Sequence, residues 1–452
     1  MTILSELADR YANVDHADIP SEVRRAARHC ILDWTGCAIA GQQEQLADIL
    51  RAELVGRGEG PSRLVGRSDR VGMLDAALIN GAAGHALDFD DTNLEMAGHP
   101  TAPVLPALLA LADVVGAAGR DIVTALVVGT EIEVRLAKVL GRAHYDRGWH
   151  TTSTVGVVGA AAACSRLLDQ PATAMTTAIA LAVTQAGGLK ASFGTMAKPL
   201  HAGRAAANGL LAARLAARGF TANPAIVEAV QGLGVATLPE GAALRAVDDV
   251  DGHWFTADTH FKFHAACYGT HAAINSALRL RRELAESGIS TDEIDRVTVR
   301  VTPSLLNVCG IEHPTTGLEG KFSLRATTAL TLLGESTADL SQYTDERMRA
   351  SDLVSMLERI TVVGDTAQED AITTIEVITS CGRSFEASHD ARTRSDDPEQ
   401  EWAALVEKFH ALTDSILGRG GADQIVAAVA ALDDRADHSF AWPVCGGTHP
   451  TA

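Results

Sequence analysis

At 452 residues and 46% hydrophobic side chains, the chain is long enough for two cores. Only 4% of it is aromatic, so those cores are built from alanine, leucine and valine, which suits close-packed helices. A net charge of −19, with no basic run of five or more residues, argues against a nucleic-acid partner and would repel anionic substrates unless cations cluster locally.

The opening "MTILSELADRYANVD" reads as a short amphipathic helix. It lacks the charged start, apolar run and cleavage site of a leader, so a cytoplasmic chain is expected. "SEVRRAARHCILDWTGCAIAG" (21–41) has helical apolar spacing, with a start signal at Asp18–Ser21 and a stop at Gly41. "LPALLALADVVG" and "AAANGLLAARLAARG" share that spacing. The seven cysteines form no CxxC pair, which fits reduced thiols better than a disulfide framework.

Between the first helices lies "HALDFDDTNLEMAGHP" (85–100), crowded with histidines and carboxylates. On a continuous helix Asp88, Asp91 and Glu95 would share one face and could hold Mg²⁺ for a diphosphate substrate. Gly84, Gly98 and Pro100 instead suggest helix edges and a loop. In that case Asp88 or Asp91 orients a histidine or binds substrate, with His99 as an acid or base at the start of the next helix. A solvated loop with capping aspartates is the third reading.

Further along, "GVVGAAAACSRLL" (156–168) lacks GxGxxG and a preceding strand, so it reads as a closely packed helix and not a dinucleotide loop. The uncharged "QPATAMTTAIALAVTQAGGL" (170–189) is about as long as a membrane span, but its Gln, Pro and threonines point to a buried helix. Four more segments place ionisable groups beside glycine between apolar helices. They carry His144 and His150; Lys198, His201 and Arg204; Lys262, His264, Cys267 and His271; and His313 with Lys321. Only six of the 38 basic residues are lysines, and three of the six fall here, which points to one site assembled from several loops. With no nucleophile elbow and no HExxH, cofactor-free proton transfer near carboxylates suits these groups best.

Beyond about residue 268 the texture changes. "IDRVTVRVT" (294–302), "ITVVGD" (360–365) and "TTIEVITSCGRSFEASH" (373–389) alternate β-branched and polar residues, with helical stretches such as "HAAINSALRLRRELAESG" between them. "DDPEQEWAALVEKFHALTDSIL" (396–417) returns to helical periodicity. The expected organisation is a mainly α chain, with a helical domain over 1–267 completed by 396–452 and a smaller α+β lid over 268–395 inserted into it.

"GHALDFDDT…GHPTAPVLPALLALAD", "GWHTTSTVGVVGAAAA", "SFGTMAKPLHAGRAAANG", "FKFHAACYGTHAAI" and "GKFSL" resemble, in order, the signature blocks of the MmgE/PrpD family. That family includes 2-methylcitrate dehydratase, cis-aconitate decarboxylase and iminodisuccinate epimerase. The resemblance implies a large helical domain with an inserted α+β lid, a homodimer and no redox cofactor; no metal is expected either. It also implies a small di- or tricarboxylate as the binding partner.

Carried over by position, it assigns Asp88, His99, His150, Lys198 and Lys262 to catalysis: Lys198 and Lys262 as carboxylate clamps, His99 and His150 as proton carriers, Asp88 as orienter. Thr92, His201, Arg204, Cys267 and Lys321 are the expected substrate contacts. Where the animal decarboxylase has a histidine and a tyrosine, this chain has Cys267 and, at about the matching place, Ala326. The expected activity is therefore a dehydratase-type hydro-lyase, then an epimerase, then a decarboxylase. A non-catalytic carboxylate-binding protein is the reading from a different class.

Overall fold

A computed structural model describes residues 1–57, 59–247, 252–369, 371–394 and 397–434. The tail of the expected C-terminal segment, 435–452, lies outside the described residues. The chain divides into two compact units, one of residues 1–191, 196–261 and 397–452, the other of 192–195 and 262–396.

The first unit is helical. Ser21–Gly41, Met73–Gly84, Thr101–Val115, Gly119–Leu140, Gly156–Leu167, Ala172–Val183, Ala197–Ala216 and Pro398–Leu417 are its main helices. Its core is rich in alanine, as the low aromatic content requires: Ala160, Ala161, Ala162, Ala206 and Ala213 are all fully buried. The uncharged stretch over 170–189 forms the Ala172–Val183 helix, packed into that core. No helix among the described residues is long and apolar enough to cross a membrane.

Small residues let the backbones approach. A Cβ on Gly203 would sit 2.2 Å from the Leu78 carbonyl oxygen, and one on Gly81 2.8 Å from the Gly203 Cα. The Met73–Gly84 and Ala197–Ala216 helices thus cross almost in backbone contact, which brings the end of the first toward the start of the second. Gly41 acts in the same way. The Ser21–Gly41 helix does stop there, but Gly41 has no left-handed φ, and its Cβ would lie 2.0 Å from the Ala83 carbonyl oxygen. Close packing, not a turn conformation, requires glycine at that position.

The second unit holds a four-stranded sheet in the order Ile360–Gly364, Ile294–Val301, Ile372–Thr379, Ser384–Asp390. The first pair is parallel and the other two antiparallel. Alternate burial along Ile372–Thr379 follows its β-branched pattern, one face packing beneath the His271–Glu286 helix. Cys30, Cys37, Cys164, Cys267, Cys309 and Cys381 form no disulfide with one another, and Cys445 lies outside the described residues.

Candidate active site

The stretch 85–100 is a loop, buried except around Leu94, Glu95 and Ala97. The Met73–Gly84 helix ends at His85, where a Cβ on Gly84 would strike the Trp34 indole at 2.3 Å. Asp88 then takes φ +50°, a left-handed conformation that aspartate tolerates better than most residues. The shared helical face for Asp88, Asp91 and Glu95 does not form, because the chain has turned before Asp91. Nor is it a solvated loop: His85, Asp88, Asp90 and Asp91 are all buried.

Several contacts hold this loop. Thr92 exchanges backbone hydrogen bonds of 2.8 and 2.7 Å with His260, and its hydroxyl donates to the Gly98 carbonyl. The Lys408 ammonium, from the Pro398–Leu417 helix, donates at 2.6 Å to both Asp33 Oδ1 and the Phe89 carbonyl. The Asp91 carboxyl accepts from the Thr101 hydroxyl and amide.

Desolvation first, then repulsion from Asp33, pushes Asp91 up to about 8. The folded chain therefore keeps a proton on Asp91 that the unfolded chain releases above about pH 4, so stability falls as pH rises from about 4 to 8. Asp91→Asn keeps an acceptor for Thr101 and removes this titration. Urea melts from pH 5 to 8 are expected to show the variant gaining on the wild type by up to about 1.4 kcal/mol per pH unit. A constant difference across that range would rule out a protonated Asp91.

Lys198 enters from the other side of the helix crossing. It sits in the first turn of the Ala197–Ala216 helix, 3% exposed, where the helix dipole disfavours a cation. Its ammonium donates at 2.9 Å to Asp88 Oδ1 and at 3.0 Å to His85 Nε2. The pairing with Asp88 offsets an otherwise unfavourable placement.

Three more histidines complete the cluster. His99 Nδ1 lies 2.6 Å from the Asp91 carbonyl oxygen, which can only accept, so Nδ1 carries a hydrogen. Nε2 is then the nitrogen able to gain or lose a proton, 3.6 Å from Asp88 Oδ1. The His85 ring lies 4.5 Å from that of His99 and 5.9 Å from that of His150, which it stacks on. His150 Nδ1 meets His201 Nδ1 at 3.2 Å. Burial, reinforced by the Lys198 charge, holds His150 well below the usual imidazole range, and burial lowers His85 and His201 too.

Donor atoms of His85, Asp88, Asp90 and His99 lie within 4.8 Å of one another, a set whose composition could hold a metal ion. Lys198 already supplies a cation to two of the four. The residues present therefore fit an ammonium-centred site better than a metal centre.

Of the residues singled out from sequence, Asp88, His99, His150, Lys198 and His201 come together, with Thr92 bracing the loop. Arg204, one turn beyond His201 on the same helix, is exposed and so is not part of the buried cluster. Lys262, Cys267 and Lys321 belong to the second unit. There Lys262 is fully buried, the Cys267 amide donates to the Lys321 carbonyl at 2.9 Å, and the Lys321 ammonium lies 5.6 Å from the Tyr343 ring centre. Sequence reasoning missed His85 and Asp90, although both stand in the quoted loop. The available signal was two ionisable residues five apart, with Asp88 between them, among Ala, Leu and Phe.

Residues 5–246 match the MmgE/PrpD N-terminal domain, and 264–434 match the MmgE/PrpD C-terminal domain. The chain belongs to the MmgE/PrpD family. Among curated members, it is 28% identical to cis-aconitate decarboxylase of Homo sapiens, over 99% of this chain and 96% of that one. It is also 28% identical to cis-aconitate decarboxylase of Aspergillus terreus, over 78% of this chain and 76% of the relative. The Mus musculus decarboxylase is 26% identical over 97% and 93%. The two MmgE/PrpD domains span both units, and the loop, Lys198 and the histidines all fall within the N-terminal one.

Proposed function

We propose that this MmgE/PrpD member is a lyase acting on a small tri- or dicarboxylate, with dehydration as its reaction. The observation that carries the reading is the buried convergence of the Lys198 ammonium, Asp88 and the His99 Nε2 within 3.6 Å contacts. Such a group can move a proton on a carbon next to a carboxylate and stabilise the charge that develops there.

In the dehydration, His99 Nε2 takes the proton from the carbon beside a carboxylate. The electron pair enters an enolate-like state facing the Lys198 ammonium. The pair then forms the C=C bond as the β C–O bond breaks, and the leaving oxygen takes the proton that His99 removed and departs as water, which restores neutral His99. Stopping after the proton transfer and returning the proton to the opposite face would be epimerisation. Lys262 is proposed as a second carboxylate-binding cation on its place in the family pattern and its full burial.

Decarboxylation is the second reading, favoured by the activity for which the curated relatives are named. In it a C–C bond breaks, CO₂ leaves with the carboxylate charge passing to carbon, and a His99 that starts out protonated on Nε2 gives that proton to the carbanion and regains one from water. Carbon NMR on 2-methylcitrate, citrate, cis-aconitate and iminodisuccinate separates the reactions. Alkene signals from a citrate support dehydration. Untouched citrates with CO₂ released from cis-aconitate would replace that reading with decarboxylation.

A further inference from the structure

We propose that Asp90 and His85 form a positioning arm that holds the Lys198 ammonium at the reacting end of the site. The inference rests on the proposed role of Lys198 in turnover, and it assigns work to two residues that the family pattern did not bring forward.

The geometry fixes the direction of each hydrogen bond. Both Asp90 carboxylate oxygens lie within reach of His85 Nδ1, at 2.8 and 3.0 Å, and both side chains are fully buried. A carboxylate only accepts, so His85 carries its hydrogen on Nδ1. The lone pair is then on Nε2, which faces the Lys198 ammonium at 3.0 Å. An imidazolium or the other tautomer would put N–H against N–H there. Burial and the Lys198 charge both favour the neutral ring.

This arrangement has a chemical purpose. Two carboxylates bonded directly to Lys198 would cancel its charge before an anionic substrate arrived. The arm instead sets a neutral acceptor, His85, whose orientation Asp90 fixes, beside the charged acceptor Asp88 on the ammonium. The ammonium is held on two sides and keeps more of its field for the substrate. His85 also stands edge-on to the His99 ring at 62°, so the same arm limits where that ring can move.

The test is histidine ¹⁵N NMR on the full chain without substrate, with His85 assigned by the signal lost in His85→Gln. The expected spectrum shows His85 protonated on Nδ1 alone, with its Nε2 resonance shifting toward that of an unbonded ring nitrogen in Lys198→Met. An imidazolium, an Nε2–H ring, or an Nε2 resonance unmoved by Lys198→Met would overturn the arm, whatever the substrate proves to be. With a substrate that the wild type turns over, His85→Leu should lower kcat about 10- to 100-fold with KM little changed. His85→Gln, which keeps an acceptor for the ammonium, should recover part of that loss. Equal kcat in wild type and His85→Leu would also overturn the positioning role. Inactivity of the wild type on every carboxylate tested would count against the proposed function, and the spectrum would still decide the arm.

Discussion

Lys198→Met is expected to lower kcat by about two to three orders of magnitude, because it removes a preorganised cation from the point where negative charge develops. It also leaves Asp88 buried without the ammonium at 2.9 Å, which should cost about 3 kcal/mol of stability. The two effects can be separated. In the double variant Asp88→Asn, Lys198→Met no carboxylate is left unpaired, so urea melts should recover much of the lost stability. Turnover should stay low in both. Recovery of turnover together with stability would mean that Lys198 serves the fold and not the reaction.

His99→Asn should have an effect of similar size for a different reason. Asparagine can still donate to the Asp91 carbonyl that fixes His99 Nδ1, yet it has nothing at the place of Nε2. Loss of a positioned proton carrier lowers rates about 10²- to 10⁴-fold. Stability should change by no more than about 1 kcal/mol, since the buried hydrogen bond is kept. Steady-state kinetics beside urea melts check both parts. A kcat within a few-fold of the wild type would move the proton-transfer role away from His99, with His150 the next candidate.

Much of the helical framework could be read from apolar spacing. The Ser21–Gly41 helix followed its apolar spacing, its start falling at the end of the Asp18–Ser21 signal, and the strands Ile294–Val301 and Ile372–Thr379 followed their alternating patterns. The start of the Ala197–Ala216 helix was less legible, because Lys198 and Pro199 interrupt the apolar period that becomes regular only from about Ala205. Near-contact crossings such as Gly81 on Gly203 leave no periodic trace, since they depend on which helices meet in space.

In the site, chain order and residue type pointed to Asp88, His99, His150 and Lys198. They could not show that Asp88 turns through a left-handed φ, nor that the loop is buried. His85 escaped notice because its partners, Asp90 and Lys198, lie five and 113 residues away. Lys408 was legible only as one of six lysines, although it reaches across 319 residues to the Phe89 carbonyl and braces the loop.

The most direct measurement is proton NMR in D₂O of wild type, Lys198→Met and His99→Asn, each with 2-methylcitrate and cis-aconitate. The account predicts that wild type places solvent deuterium on carbon next to a carboxylate, or expels water or CO₂. Both variants, shown to be folded, should do so at least about 100 times more slowly. Equal rates in all three proteins would contradict it and place the chemistry elsewhere in the chain.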